Sequence, residues 1–377
     1  MIINPFVYNI ELYKNGTKID DVSRVLNLSV TKKQNSVGIL SFSLYVEDDF
    51  FEKYTDNTVV VLRRRSLVYG IEPYIEFMGN IVDIDAIEDD NIAPTATIIC
   101  QDFKGLLARR RILYYQSSQY CVKYGFAESV AKEFVKENIG SLADNSHRFS
   151  NGKMPKFNVS EDQGLGIYME GEDKSGQNLL DVVRDICTSS NLVFDVISNT
   201  NGTIFTFITT LTRMGQDLSA EVILPDGKNN HGNIPVVFSF GVGNISNVKR
   251  RILNSNKLTA VTAYGRGTDE DREMYTISRN TSESGIDIRE EVVNANNESS
   301  DGLSYVASRK FGESIVETYE INVIQAPGFI YGYNYSIGDL VTFEYLGVKL
   351  HRVVNGVTLT INESGEEEVS LEFEEEI

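Results

Sequence analysis

At 377 residues the chain exceeds what one hydrophobic core ordinarily organises, and about two to four domains are expected. Apolar residues make up 41% and charged residues 24%, which excludes wholesale disorder. Against 54 acidic side chains stand 35 basic ones, a formal charge of −19 that disfavours broad attraction to nucleic-acid phosphates or anionic lipid.

The first hundred residues read as strands. Val7 to Tyr13 runs into Lys14-Asn15-Gly16, and Asn-Gly supplies the positive φ angles of a tight hairpin turn. Leu40, Phe42, Leu44 and Val46 alternate with Ser41, Ser43 and Tyr45, giving a strand one apolar and one mostly polar face. Val59 to Leu62, Ile75 to Ile84 and Ala96 to Cys100 follow, a spacing that predicts a small barrel or sandwich. After Asp102 the character changes. Phe126, Val130 and Phe134, with Ala127, Ala131 and Val135, fall at helical spacing, and Gly140 is the expected stop. Residues 141–166 are polar and read as a linker or long loop.

Leu179, Leu180, Val183, Ile186 and Cys187 form one helical stripe, with Asp173 and Ser175 as candidate N-caps. Leu192 to Ile197, the turn Asn201-Gly202 and Ile204 to Ile208 then predict a hairpin. Residues 211–235 read as loop. Strands are expected again at Leu258 to Tyr264, Met274 to Ile277, Thr318 to Ile324, Leu340 to Tyr345, Lys349 to Val354, Val357 to Ile361 and Val369 to Phe373, and a helix around Leu303, Val306, Ala307 and Phe311. Eight glutamates crowd the last fifteen residues, but Val369, Leu371 and Phe373 alternate among them, which predicts an acidic strand.

A weak internal repetition runs through this order. Thr58 to Val61, a short connection, Phe77 to Ile84, an acidic turn and Thr95 to Cys100 are matched by Leu340 to Phe343, a short connection, Arg352 to Ile361, an acidic turn and Glu368 to Phe373. Two related β-barrels, one at each end, would produce this pattern, and so would any two antiparallel meanders. The expected fold class is mainly β with α+β insertions. The division is an N-terminal β-barrel over 1–110, a helical insert and linker over 111–170, an α+β domain over 171–250, and a C-terminal β-barrel over 251–377 with a helix near 303–315.

Chemistry is hard to find. The histidines are His147, His231 and His351, and none belongs to a metal or nucleophile–base signature. Cys100, Cys121 and Cys187 are odd in number and widely spaced, which supports neither a disulfide framework nor a zinc site. Pairs such as Asp48/Asp49, Asp83/Asp85 and Asp89/Asp90 read as solvated acidic turns. Asp83-x-Asp85 lacks the glycine and terminal glutamate of a calcium loop. A sugar-cleaving cleft needs two carboxyls at a set distance among aromatics; there is no tryptophan, although 19 tyrosines could substitute. Gly241-Val242-Gly243 lacks the third glycine of a dinucleotide fingerprint, and Gly265-Arg266-Gly267 reads as a turn. No catalytic, cofactor-binding or metal-ligating residue is therefore expected, and no cofactor.

Three basic triplets, Arg63 to Arg65, Arg109 to Arg111 and Lys249 to Arg251, interrupt the acidic background. Pairing with acidic faces of this chain or a neighbour is favoured over a phosphate track. No stretch reaches the ~18 to 20 apolar residues of a membrane span. No basic region precedes an apolar run at the N-terminus, so synthesis in the cytoplasm is expected. Asn15-Gly16-Thr17 and Asn201-Gly202-Thr203 then read as turns rather than glycosylation sites.

Several segments carry a resemblance. They are Phe77 to Ile81; Asp102 to Leu107 with Arg109-Arg110; Gly176 to Leu180 with Ile186 and Leu192 to Phe194; Leu258 to Gly267; Gly285 to Ala295; and Tyr331-Gly332-Tyr333 with Ile337 to Thr342. In this order they resemble the baseplate or tail-tip hub family of tailed bacteriophages, shared with contractile injection systems. The resemblance implies a structural, non-enzymatic virion protein of the tail, assembled in the host cytoplasm. It would be a homotrimer whose two tube-like barrels per chain match a six-fold tail tube. It would bind tail-tube or distal tail proteins and a central spike or tip protein, and DNA would cross its channel without specific binding. An acidic wall would suit that passage by repelling phosphates. Relatives often continue into a cell-wall-cleaving domain; the chain stops at Ile377, and no lytic activity is expected. The competing readings are a tail-associated cell-wall hydrolase and a β-rich receptor or carbohydrate binder.

Overall fold

The computed structural model describes residues 5–22, 24–90, 92–113, 121–143, 152–169, 171, 173–278, 285–295, 300–312, 317–362 and 365–374. The chain is mainly β. Its first part comprises β1 (Val7–Lys14), β2 (Thr17–Val22), β3 (Asn27–Lys33), β4 (Ile39–Tyr45), the short helix α1 (Phe50–Lys53), β5 (Val59–Ser66), β6 (Ile71–Asp89), β7 (Ile92–Asp102) and the turn of helix α2 (Gly105–Ala108). Asn15 and Gly16 take φ of 52° and 81°, the left-handed pair that the β1–β2 hairpin requires. Leu40, Phe42 and Leu44 are buried, as their alternation predicts. Val59 to Leu62 lacks alternation because β5 is covered on both sides: Val60 and Leu62 enter the main core, Val59 and Val61 a second one.

After the short strand β8 (Gly125–Phe126), that second core is built by α3 (Ala127–Asn138), β9 (Phe157–Val159), β10 (Tyr168–Met169), α4 (Leu179–Ser189), β11 (Leu192–Ser198) and β12 (Phe205–Leu211). The helix stripe and hairpin stand where the sequence puts them, with three local differences. The cap of α4 is Asn178, whose side chain accepts from the Leu180 N–H at 2.9 Å. Asp173 and Ser175 instead accept from the Cys121 N–H, at 2.8 and 3.0 Å. And β9, inside the polar stretch 141–166, lies parallel to β12, an alignment made only by tertiary contact. A buried ion pair, Glu128 with Lys132, fastens residues 161–165 of that stretch. Burial alone would raise the Glu128 carboxyl. Lys132, the Leu165 and Gln163 amides and the Thr209 hydroxyl all donate to it and hold it at about 2.

The last part comprises β13 (Val237–Phe238), β14 (Ile245–Ile252), β15 (Ala260–Tyr264), β16 (Met274–Ser278), β17 (Glu290–Asn294), α5 (Ser300–Gly312), β18 (Glu317–Val323), β19 (Leu340–Tyr345), β20 (Val348–Ile361) and β21 (Glu367–Glu374). β14 straddles residue 251. β15 to β17 form a separate three-stranded sheet on which α5 packs Leu303, Val306, Ala307 and Phe311, a small core of its own between β14 and β18. The glutamate-rich end is indeed a strand, with Val369, Leu371 and Phe373 buried.

The strands of both ends join one sheet in the order β14-β18-β21-β20-β3-β4-β7-β6-β5-β1-β2, and β19 and β13 branch from β20. Among the described residues this ladder is an open path. Its seam is β3 against β20, antiparallel from Leu28–Ile361 to Lys33–Gly356. One core cluster runs beneath the seam from Ile10 to Phe373. A second tie is Arg64, fully buried on β5, which reaches the carboxylate of Glu367 on β21, itself 2% exposed. Its guanidinium also donates to Tyr8 (3.0 Å), Tyr74 (2.6 Å) and Gln325 (3.0 Å), and stacks 3.8 Å from the Phe6 ring centre. Burial favours the neutral form of Glu367 and raises its carboxyl; with two guanidinium nitrogens on the carboxylate, the ionic form prevails.

Two stability measurements follow from these pairs. Arg64→Ala strands a buried carboxylate and should cost about 3–5 kcal/mol in urea denaturation, whereas Arg64→Met combined with Glu367→Leu should cost much less. The depressed Glu128 carboxyl contributes stability that is present above its unfolded value near 4.5 and lost as pH falls toward 2. Glu128→Gln should flatten the acid limb of a melting-temperature profile over that window.

Candidate functional site

The repetition seen in the sequence is a repetition of hydrogen-bond register. In the first part Val59–Asn80 to Leu62–Phe77 pair β5 with β6. In the last part Leu340–Val353 to Phe343–Leu350 pair β19 with β20. Each long strand then changes neighbour across a bulge that skips one residue. Ile81 pairs with Cys100 and Asp83 with Ile99, past Val82; Val354 pairs with Phe373 and Gly356 with Glu372, past Asn355. The next neighbours agree too, Leu40 lying opposite Cys100 and Tyr319 opposite Phe373. Beyond them Val30 faces Leu40 and Arg250 faces Tyr319. Strands β3 to β7 and strands β14 and β18 to β21 are therefore one five-stranded unit used twice.

Two edges differ between the copies. Among the described residues β3 pairs with β20, whereas its counterpart β14 pairs with β18 alone; in the stretch Asp83 to Glu88, the counterpart of Gly356 to Ile361, Asp83 to Ile87 pair with β7 alone. β14 carries Lys249, Arg250 and Arg251, all exposed. The free stretch of β6 carries Asp83, Asp85 and Glu88, also exposed. These carboxylates belong to a strand, not to the acidic turn expected from the sequence. β6 continues to Asp89, and the reversal into β7 follows immediately.

The sheet face turned away from the core is lined by Ser29, Thr31, Ser41, Ser43, Thr97, Thr318, Thr358, Thr360 and Ser370, opposite in alternation to the buried Leu28, Val30, Leu40, Phe42, Leu359 and Leu371. Hydroxyls bridge strands there, Ser43 to Thr97 at 2.8 Å and Thr31 to Thr358 at 3.4 Å across the seam. Lys33 pairs with Glu372 at 3.0 Å and Lys249 with Glu320 at 3.2 Å. Asp83, Asp85 and Glu368 add negative charge to the same face. Where Gly356 lacks a side chain, a depression of about 250 Å³ opens between Thr31, Lys249, Arg251, Glu320 and Glu372.

The described histidines and thiols sit on different parts of the fold. His351 Nδ1 lies 2.8 Å from the Thr342 hydroxyl, His231 lies 3.4 Å from Asp217, and His147 falls outside the described residues. Among the described residues no cluster of His, Cys, Asp or Glu could hold a metal ion. All three thiols are buried and unpaired, and burial raises Cys121 to about 11. Two of the basic triplets meet carboxylates of this chain, Arg63 with Glu11 (2.9 Å), Arg64 with Glu367 and Arg250 with Glu317; Arg109 meets Asn57 (3.2 Å). Arg251 has no charged partner among the described residues. The Lys249 to Arg251 triplet was visible in the sequence, but its place on an open edge could not be read without the pairing.

No curated protein matches the chain. Solved structures resemble it along nearly its whole length. The 43 kDa tail protein of prophage MuSo2 from Shewanella oneidensis superposes with a TM-score of 0.60 at 14% identity, covering 97% of this chain and 98% of that one. A tail protein from Neisseria meningitidis MC58 gives 0.58 at 11%, covering 98% and 97%. Prophage tail protein gp18 from Listeria monocytogenes EGD-e gives 0.53 at 10%, covering 97% and 94%. At such identities the likeness is one of fold. A sequence profile, by contrast, matches residues 53–373, most of the chain, and the chain belongs to the family it describes, the Siphovirus ReqiPepy6 Gp37-like proteins.

Proposed function

We propose that the chain is the hub of a phage tail baseplate or tip, a homotrimeric ring that joins a hexameric tail tube to the central spike or tip protein and surrounds the channel for DNA. The observation that carries this reading is the five-stranded unit used twice in register within one sheet. Three copies of such a chain present six equivalent units, the number that a six-fold tube can meet without a mismatch. Each unit then acts as a tube-type barrel segment, and the ring removes sheet edges that a free chain would expose.

The hydroxyl-rich face is the channel wall. Serine and threonine keep it wet without strong charge. Its carboxylates, Asp83, Asp85, Glu320, Glu368 and Glu372, outnumber its cations Lys33, Lys249 and Arg251. A slight negative excess repels phosphates and lets the polymer slide. The protein works by shape, in the virion, rather than by catalysis.

The test is native mass and a view down the axis. With its tail-tube partner present the chain should assemble as three copies that contribute about 127 kDa to the particle, at 42.3 kDa each, and negative-stain averages should have three-fold symmetry and a central hole. A monomeric, compact particle without a hole under those conditions overturns the reading.

A further inference from the structure

The two unpaired edges fit each other. Within the chain, β3 of the first unit zips onto the distal half of β20 of the last unit. The edges left over are the matching ones of the opposite units, β14 and Asp83 to Glu88 of β6. They lie seven ladder steps apart along the sheet, and within the described chain they do not pair with each other. A second copy can bring them together.

Resting on the ring reading above, we infer that β14 of one protomer adds antiparallel to the Asp83–Glu88 edge of β6 in the next, repeating between chains the β3–β20 seam made within each. The register transfers directly, because both units share every pairing that sets it. In the internal seam Thr31 faces Thr358 and Lys32 faces Val357. Arg251 and Ile252 occupy the places of Thr31 and Lys32, and Asp85 and Ile84 those of Thr358 and Val357. Arg251 of one copy is thereby set opposite Asp85 of the next on the hydroxyl-lined face. Ile252, 49% exposed in the single chain, meets Ile84 on the core side. Lys249 lies diagonally across from Asp85, within reach of a long side chain.

Charge complementarity at this one register identifies the occupant as another copy rather than an unrelated strand. The basic triplet and the acidic stretch are on opposite free edges, so the contact is head-to-tail and each chain offers one of each. A slip by one residue sends Arg251 to the face away from Asp85 and places Ile252 among the hydroxyls. The internal seam differs in character: it sets Leu28 and Val30 against Leu359 and Ile361, whereas this one sets Val248 and Arg250 against Ala86 and Glu88. A less apolar, more ionic seam suits chains that are made separately and meet later.

The test uses the full chain with Asp85→Cys and Arg251→Cys together; the native cysteines are buried. Oxidation should give a ladder of covalent dimers and trimers, while Ala86→Cys with Arg251→Cys, one residue out of register, should give none. Arg251→Glu or Asp85→Arg alone, at exposed positions that leave circular dichroism unchanged, should weaken association at low salt by about tenfold or more per seam, and the two together should restore it. A trimer that neither cross-links nor responds to the reversals overturns this seam and leaves the ring standing. A chain that stays monomeric to its solubility limit, with and without the tail-tube partner, overturns both.

Discussion

The two ends of this chain are held together by the ladder between β3 and β20. Those two strands come from opposite ends of the chain, with Thr31 and Thr358 facing each other across it. Their pairing turns two five-stranded units into one sheet over one apolar core. The ladder alone is a modest gain, since folding exchanges hydrogen bonds with water for bonds within the protein. The stability lies beneath it, where Leu28 and Val30 pack beside Val357, Leu359 and Ile361, and where Arg64 and Glu367 tie β5 to β21. An ion pair at that depth fixes geometry more than it adds energy, because both charges gave up water to meet.

The middle unit uses a different device. Its helices cover the outer side of β5, so that Val59 and Val61 are buried away from the main core. The Glu128–Lys132 pair gathers backbone amides from residues 163 and 165 and thereby replaces regular structure in a stretch that has little of its own. Polar sequence there signals a segment held by directed hydrogen bonds.

What the sequence made legible were local periodicities and turns. The alternation of Leu40, Phe42 and Leu44, the left-handed pair Asn15-Gly16, the stripe from Leu179 to Cys187 and the hairpin around Asn201-Gly202 all reappear because short-range sterics and burial of one face decide them. The repeat was legible as an order of strands. Its register was not, because the skipped residues Val82 and Asn355 look ordinary and become bulges only against a partner. Asp83 and Asp85 read as a turn because carboxylates are poor strand formers; an edge facing water tolerates them. Asn178 was missed as a cap since Asp173 and Ser175 are equally able acceptors nearby, and only the position of Cys121 diverts them. The seam itself joins segments more than three hundred positions apart, which no window along one sequence can connect.

The connection between β14 and β18 has a consequence for how such chains diversify. Where the first unit passes from β3 to β4 through a few residues, the last unit inserts β15 to β17 and α5, a lobe with its own small interior. Because the lobe has a small core of its own, its length and surface are only loosely tied to the sheet that carries it. Its two stems, at Ile252 and Glu317, stay opposed, and α5 also touches α4. The appendage can therefore be restyled or trimmed with little change to the strand pairing underneath.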